Sequence, residues 1–312
     1  MPGISHPAKI LASDGKEYFL KGHYAYFDHR WGRMEAALAQ ELFSYQLANY
    51  MDIPVTNVAL IEIDESDLDV YSELTFIHHI AKKGLYLATE AVETTDQNLK
   101  ILLDSKNRNI PQAQKKINTF FRNVQNKIDI PKIIYFDLLT ANIDRYNNAG
   151  NFIFKKTSNG NYIIAIDFGF CFFGPFWNSK VNNLLSKDFA NKDPNRWKQI
   201  ILKSCLCTHE NYKRAPVLNL LNPYINFNVN PFAFIHSVAL NLTSDKLANM
   251  LRAIPDEWLV QGDYQRNIYL NFILNQVKMM PTILEYAAMN KFFTNFTGGN
   301  LIWPQEKNTL IQ

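Results

Sequence analysis

The chain predicts an α+β protein in two lobes, on three observations. Short alternating runs separated by turn signals fill the sequence up to about residue 92, which is the pattern of β-strands. Beyond it, apolar residues recur at three- and four-residue spacing, which is helical. A lone hairpin pattern, 151–166, interrupts the helical part. The composition changes near residues 92–96, so 1–93 is expected to form a β-rich N-terminal lobe and 94–312 a mostly helical C-terminal lobe. With 312 residues and 47% hydrophobic content, the chain can bury the core that such a layout needs.

Taken in order, Ala8 to Leu11 and Lys16 to Lys21 flank Ser13-Asp14-Gly15 and read as an opening hairpin. From Met34 to Met51, Leu38, Tyr45 and Ala48 share a helical stripe, and Pro54 closes the segment. Thr56 to Ile63 reads as a strand. Asp64 to Lys83 is expected to be helical in part, because Ser66-Asp67 can cap it and Leu68, Tyr71, Leu74, Ile77 and Ile80 recur on one face. Gly84 ends it, and Leu85 to Val92 is a strand. Helices are then expected at Gln97 to Leu103, Gln112 to Lys127, Pro131 to Asn142, Ala190 to Cys207, Thr243 to Ile254 and Trp258 to Asn290. Between them the hairpin from Asn151 to Ile166 turns at Ser158-Asn159-Gly160-Asn161, whose Asn-Gly pair suits positive φ.

Charge excludes some partners and points to none. The formal net charge of +3 arises from 32 basic and 29 acidic side chains that are interspersed, which gives no nucleic-acid signal and no basic run for a lipid surface. Three cysteines cannot make a disulfide framework, the first residues lack the pattern of a signal peptide, and the most apolar run, Tyr162 to Trp177, is broken by Asp167, Gly169, Gly174 and Pro175. The expectation is a cytoplasmic protein without a membrane span.

The chemistry sits between Asp137 and Gly169. Asp144-Arg145 is followed seven positions after the acid by Asn151, and Asp167 closes the apolar run Tyr162 to Ile166. This is the order in which phosphoryl-transfer enzymes place a catalytic acid and two metal ligands. Asp144 would orient the attacking hydroxyl, while Asn151 and Asp167 would offer oxygens to Mg²⁺, a hard cation that prefers them. Taken singly, an Asp-Arg pair also reads as a surface ion pair, and an Asp after a strand as a loop cap.

A second group lies upstream. Glu41 falls on the stripe of Leu38, Tyr45 and Ala48, which would point it at the sheet, where an unpaired carboxylate is costly. Lys21, on the side of its strand shared with Phe19, is the natural partner, and kinases use such a Lys-Glu pair to hold ATP phosphates. The alternative leaves Glu41 at the stripe's edge in water and Lys21 as an ordinary strand-end charge.

With these residues in place the chain resembles the HipA-like kinases, their stand-alone branch in particular, and more distantly the phosphatidylinositol kinases. The resemblance runs through Gly3-Ile-Ser5-His-Pro7, Tyr18-Phe-Leu-Lys21, Gln40-Glu41, Ile53-Pro54-Val55, Asn142-Ile-Asp144-Arg145 with Asn151, Ile166-Asp167-Phe168-Gly169 and Ala253-Ile-Pro255-Asp256-Glu257-Trp258. It implies a two-lobed protein-kinase-like fold and a kinase using ATP and Mg²⁺. Residue by residue, it implies phosphate contact by Lys21 supported by Glu41, catalysis by Asp144, metal binding by Asn151 and Asp167, and Ser5 in a loop over the phosphates. Two positions depart from the commoner pattern. Tyr146 stands where His is usual, and Asn151 comes seven rather than five positions after Asp144, as in the stand-alone branch.

The expected acceptor is a Ser or Thr hydroxyl of a protein, the chain itself included. A pseudokinase or nucleotide-binding scaffold, and a small-molecule or lipid kinase, are the alternatives. No Gly-x-x-x-x-Gly-Lys-Ser/Thr loop and no Gly-x-Ser-x-Gly elbow occurs. His78-His79 and Cys205-Leu-Cys207-Thr-His209 lack companions at metal-ligand spacing and read as structural. The aromatic run from Phe168 to Trp177 reads as packing behind Asp167.

Overall fold

The computed structural model describes residues 7–27, 30–70, 75–76, 79–95 and 98–304. Strands β1 (Ala8–Leu11) and β2 (Glu17–Lys21) form the expected opening hairpin. Its turn is held by Asp14, which accepts from the Lys16 N–H at 3.0 Å and from the Tyr18 hydroxyl at 2.8 Å. A two-stranded ribbon follows, β3 (Tyr24–Phe27) against β4 (Arg30–Arg33), which no short-range turn signal marks in the sequence. Then come helix α1 (Ala37–Tyr50) and strand β5 (Val58–Ile63).

The segment expected to be partly helical, 64–83, is helical among the described residues in α2 (Glu65–Val70), and Tyr71, Leu74 and Ile77 of the expected stripe lie outside the described residues. Beyond it, β6 (Thr75–Phe76) pairs with β7 (His79–Ile80), and His78 lies outside the described residues. Packing overrides the helical spacing here. Phe76 is buried with Tyr18, Leu20, Ile63, Ala81 and Ala88 under one face of the sheet, stacked on Tyr86 at 5.6 Å, and the pair of short strands brings it there. Strand β8 (Gly84–Glu90) completes an antiparallel sheet of order β1-β2-β8-β5.

The period of two gives this sheet two different faces. Tyr18, Leu20 and Ala88 point toward Phe76, while Lys21, paired in register with Leu87, points toward α1 and the remainder of the chain. Helix α1 is buried almost all round, from Leu38, Phe43 and Tyr45 to Gln40 and Glu41, so it is a central helix rather than a surface one with a single apolar stripe.

The helical part contains α3 (Leu99–Asn107), α4 (Ala113–Arg122), α5 (Ile130–Leu139), the hairpin β9 (Phe152–Thr157) and β10 (Gly160–Ala165), α6 (Ser179–Leu185), α7 (Lys187–Lys192), α8 (Pro194–Leu206), α9 (Pro216–Leu221), α10 (Ala233–Ala239), α11 (Ser244–Arg252) and α12 (Gly262–Met289). Their starts follow capping chemistry. Asn98, Asn178, Asp193 and Thr243 each accept a backbone N–H of the first turn, from Ile101, Val181, Arg196 and Lys246. The single helix expected from Ala190 to Cys207 is divided because Pro194 cannot continue a helix and Asp193 caps a new one. The one expected from Trp258 begins at Gly262, where the Gln265 side chain accepts the Val260 and Gln261 N–H groups. Helix α12 packs against α5, α8 and α11, and one core runs from α1 through α5 to α12. No helix among the described residues is long and apolar enough to cross a membrane.

The hairpin β9–β10 is fixed on both edges. The Ala165 N–H donates to the Pro54 carbonyl at 2.8 Å, and the Thr95 N–H donates to Phe154 at 3.0 Å. In between, the Asn126 side chain imitates a neighbouring strand, accepting from the Ile163 N–H at 2.8 Å and donating to its carbonyl at 3.0 Å. Gly160 turns the hairpin at φ +128°. The hairpin therefore carries whatever stands at its open end, residues 151 and 166–167, on a rigid support.

Candidate active site

Lys21, at the end of β2, extends its amine between two carboxylates. Nζ is 2.6 Å from Glu41 Oε1 on α1 and 3.1 Å from Asp167 Oδ1 after β10. Glu41 is 2% exposed, so the alternative that left it in water does not hold. Burial works against the Lys21 ammonium, yet Asp167 and Glu41 outweigh it and hold its pKa above the ordinary value. Burial and the neighbouring Asp167 push the Glu41 pKa up as well, to about 6, against the pull of Lys21. Burial also opposes the charge of Asp167, but Lys21 prevails and its pKa is lowered. One ammonium thus serves two acids, and the deeper one, Glu41, is the less readily ionised.

Asp167 has φ +62°, in the left-handed region that Asp enters more readily than most residues. That conformation ends β10 and turns the carboxylate back toward Lys21, while the Gly169 N–H helps to hold it charged. Phe168 is buried beyond it, edge-on to Tyr45 at 4.9 Å and to Phe136 at 5.4 Å. Phe172 and Phe173 also have positive φ, and their N–H groups donate to the Thr140 and Ala141 carbonyls at 2.6 and 3.1 Å. The aromatic run is therefore packing, and it sews the Asp167 segment to the loop that carries Asp144.

Arg145 sits beneath both. It is fully buried, with Nε 2.8 Å from Asp137 Oδ1, and its Nη1 donates to the Asn151 carbonyl at 2.8 Å and the Ile166 carbonyl at 2.7 Å. Its guanidinium lies 4.5 Å from the centre of the Phe168 ring. The pair is single-pronged, since Arg145 Nη2 and Asp137 Oδ2 meet no partner of good geometry among the described residues, although the Tyr146 hydroxyl stands beside Asp137. Arg145 is therefore no surface charge. It clamps the two backbones from which Asn151 and Asp167 project.

Asp144 follows this clamp in the loop after α5. Its Oδ2 accepts from Asn151 Nδ2 at 2.8 Å and from Asn148 Nδ2 at 3.1 Å. Asn151 ends a 3₁₀ turn, Ala149–Asn151, and its carbonyl accepts the Ile166 N–H at 3.0 Å, so it stands across the hairpin end from the residue before Asp167. The structure thus places Lys21, Glu41 and Asp167 in one ion-paired group, and Asp144 with Asn151 in a second, joined through Arg145. Ser5 lies outside the described residues. The signals for Arg145 and Asp137 were an acid inside the apolar run Ile133 to Leu139 and a cation eight positions on.

The oxygen donors present suit one small hard cation. Asp167 is one-third exposed while it pairs with Lys21, and Asn151 keeps an amide oxygen after giving its nitrogen to Asp144. Among the described residues no three His, Cys, Asp or Glu form a metal cage. Mg²⁺ does not need one, because it takes one or two protein oxygens and fills its shell with water and phosphate. Cavities of about 350 Å³ beside Tyr224, Phe227 and Asn295, and of about 300 Å³ beside Val55, Tyr162 and Ile164, lie elsewhere.

Among solved structures, the fold is similar to that of the Helicobacter pylori proinflammatory kinase CtkA, with 14% identity over 91% of this chain and 93% of that chain and a TM-score of 0.51. The HipA of the Shewanella oneidensis MR-1 toxin–antitoxin complex with HipB and operator DNA matches 90% of this chain and 64% of its own length, at 13% identity and a TM-score of 0.41. No family model matches the chain, and no curated protein is significantly similar to it. The protein is thus of the two-lobed, protein-kinase-like class. Within that class it shares the fold of CtkA.

Proposed function

We propose that the chain is an ATP- and Mg²⁺-dependent kinase that transfers the γ-phosphoryl group to a hydroxyl, that of a Ser or Thr on a protein, itself included. The observation that carries the reading is the convergence of Lys21 on Glu41 and Asp167, at 2.6 and 3.1 Å, beside an Asp144–Asn151 pair at 2.8 Å on the same hairpin end. In this reading the lobes divide at residues 92–96, with 1–93 binding the nucleotide and 94–312 carrying catalysis. The three thiols, all free and buried, fit a reducing cytoplasm.

Lys21 would hold the ATP phosphates, with Glu41 keeping the ammonium in place. Asp167 and the amide oxygen of Asn151 would hold Mg²⁺, and Ser5 would lie over the phosphates, as the resemblance implies. Bound there, the cation neutralises charge on the phosphate oxygens. Asp144, partly exposed, would orient the acceptor hydroxyl and receive its proton through Oδ1. The protein supplies position and charge, which is most of what this chemistry needs.

The test is incubation with γ-labelled ATP, Mg²⁺ and cell extract, followed by phosphoamino-acid analysis. Label on Ser or Thr that vanishes in Asp144→Ala is expected. Label only on small molecules or lipid would overturn the acceptor, and nucleotide binding without any transfer would overturn the kinase.

A further inference from the structure

The loop between Asp144 and Asn151 contains a polar side chain that the reading above leaves unused. Asn148 is exposed, yet its amide is committed at both ends. Its Oδ1 accepts the Gly150 N–H at 3.1 Å, and its Nδ2 donates to Asp144 Oδ2 at 3.1 Å. The backbone brings it there independently, through the Asn148 N–H bond to the Asp144 carbonyl at 2.9 Å. The loop is further anchored by Asn147 Nδ2 on the Cys207 carbonyl at 3.0 Å and by the Val217 N–H on the Tyr146 carbonyl at 3.2 Å.

A carboxylate held by one donor can still swing about its Cβ–Cγ bond. Asp144 has two donors, Asn148 from the middle of the loop and Asn151 from its end, and both meet the same oxygen. Among the described residues Oδ1 takes no hydrogen bond, so the two amides together dedicate one oxygen to the protein and the other to the cleft. We infer that Asn148 is a positioning residue that fixes the Asp144 carboxylate for the acceptor hydroxyl. The residues between Asp144 and Asn151 make room for it, which gives the seven-residue step a physical purpose. The inference rests on Asp144 being the group that addresses the acceptor.

Two substitutions separate this role from a merely structural one. Asn148→Asp keeps the oxygen that accepts from Gly150 but replaces the donor with a second carboxylate oxygen facing Asp144, whereas Asn148→Ala removes both. In the phosphotransfer assay we expect kcat to fall roughly tenfold in Asn148→Ala and further in Asn148→Asp, with KM for ATP within about twofold of wild type, since the lost hydrogen bond is to a charged carboxylate. A fully active Asn148→Asp beside an impaired Asn148→Ala would show that only the turn matters and overturn the inference, as would full activity in both.

A second measurement does not need turnover. In the ¹H–¹⁵N spectrum of the full chain, the Asn148 side-chain amide, assigned by its loss in Asn148→Asp, should shift upfield and exchange faster in Asp144→Ala. An unmoved resonance would overturn the inference, while a moved one in a chain that transfers no phosphate would keep the contact and dispose of the kinase reading instead.

Discussion

Replacing Arg145 with Met keeps an unbranched chain of similar length and removes the guanidinium. The loss can be worked from its contacts. The fully buried Asp137 keeps Asn142 Nδ2 at 3.1 Å but loses its cation at 2.8 Å, and an uncompensated buried charge costs about 3–5 kcal/mol. The Ile166 carbonyl loses a charged donor at 2.7 Å, on the order of 1–3 kcal/mol more, while the Asn151 carbonyl keeps the Ile166 N–H. The sum, on the order of 5 kcal/mol, rivals the whole stability of a typical domain, about 5–15 kcal/mol. Urea unfolding followed by far-UV circular dichroism at neutral pH measures it. Adding Asp137→Leu removes the stranded charge and should recover most of the loss, because an apolar pair can replace a buried ion pair at little cost. Phosphotransfer should stay lost in the double variant, since nothing then ties the backbones of Asn151 and Ile166. An Arg145→Met protein less than about 1 kcal/mol below wild type, or a double variant no more stable than the single, would refute the reasoning.

Three further outcomes follow, two at Glu41 and one at the hairpin turn. Because the Glu41 pKa is pushed up to about 6, this residue takes a proton as pH falls through that value, and kcat/KM for ATP should drop there, while Glu41→Gln should be low and flat. Stability moves in the opposite sense: the folded state binds this proton more tightly than the unfolded chain does, so wild type should gain stability relative to Glu41→Gln between pH 7 and 5, and an unchanging difference would contradict it. Gly160→Ala should destabilise the hairpin by about 1–3 kcal/mol, since φ is +128° and a Cβ would stand 2.6 Å from the Asn123 carbonyl oxygen; an unchanged urea midpoint would count against that turn.

The fold was legible where local chemistry and packing agree. The opening hairpin, the Asn-Gly turn and the helix start at Thr243 follow from residues whose local chemistry is strongly biased. Segment 64–83, expected to be helical in part, is so at Glu65–Val70, while Thr75–Phe76 and His79–Ile80 pair as strands because a burial demand competed with the helical spacing and Phe76 needed a place under the sheet. The ribbon β3–β4 had no turn signal to announce it. At the site, the order of Asp144, Asn151 and Asp167 was visible, and the need of a buried Glu41 for a cation led to Lys21. Arg145 was not legible in the same way: an Asp-Arg dipeptide is ordinary, and only the depth of Asp137 in α5 makes it a buried clamp. Side-chain contacts within one loop, such as Asn148 on Asp144, depend on turn geometry that sequence spacing does not specify.

The central claim is that one hairpin end gathers a metal site and an acceptor-facing acid. A crystal structure of the chain with a non-hydrolysable ATP analogue and Mg²⁺ tests it most directly. The account predicts a cation bound by Asp167 and the Asn151 amide oxygen at about 2.0–2.1 Å, Lys21 on the phosphates, and Asp144 Oδ1 facing the γ-phosphate across open space. Phosphates lying away from Lys21, or a cation that touches neither Asn151 nor Asp167, would contradict it.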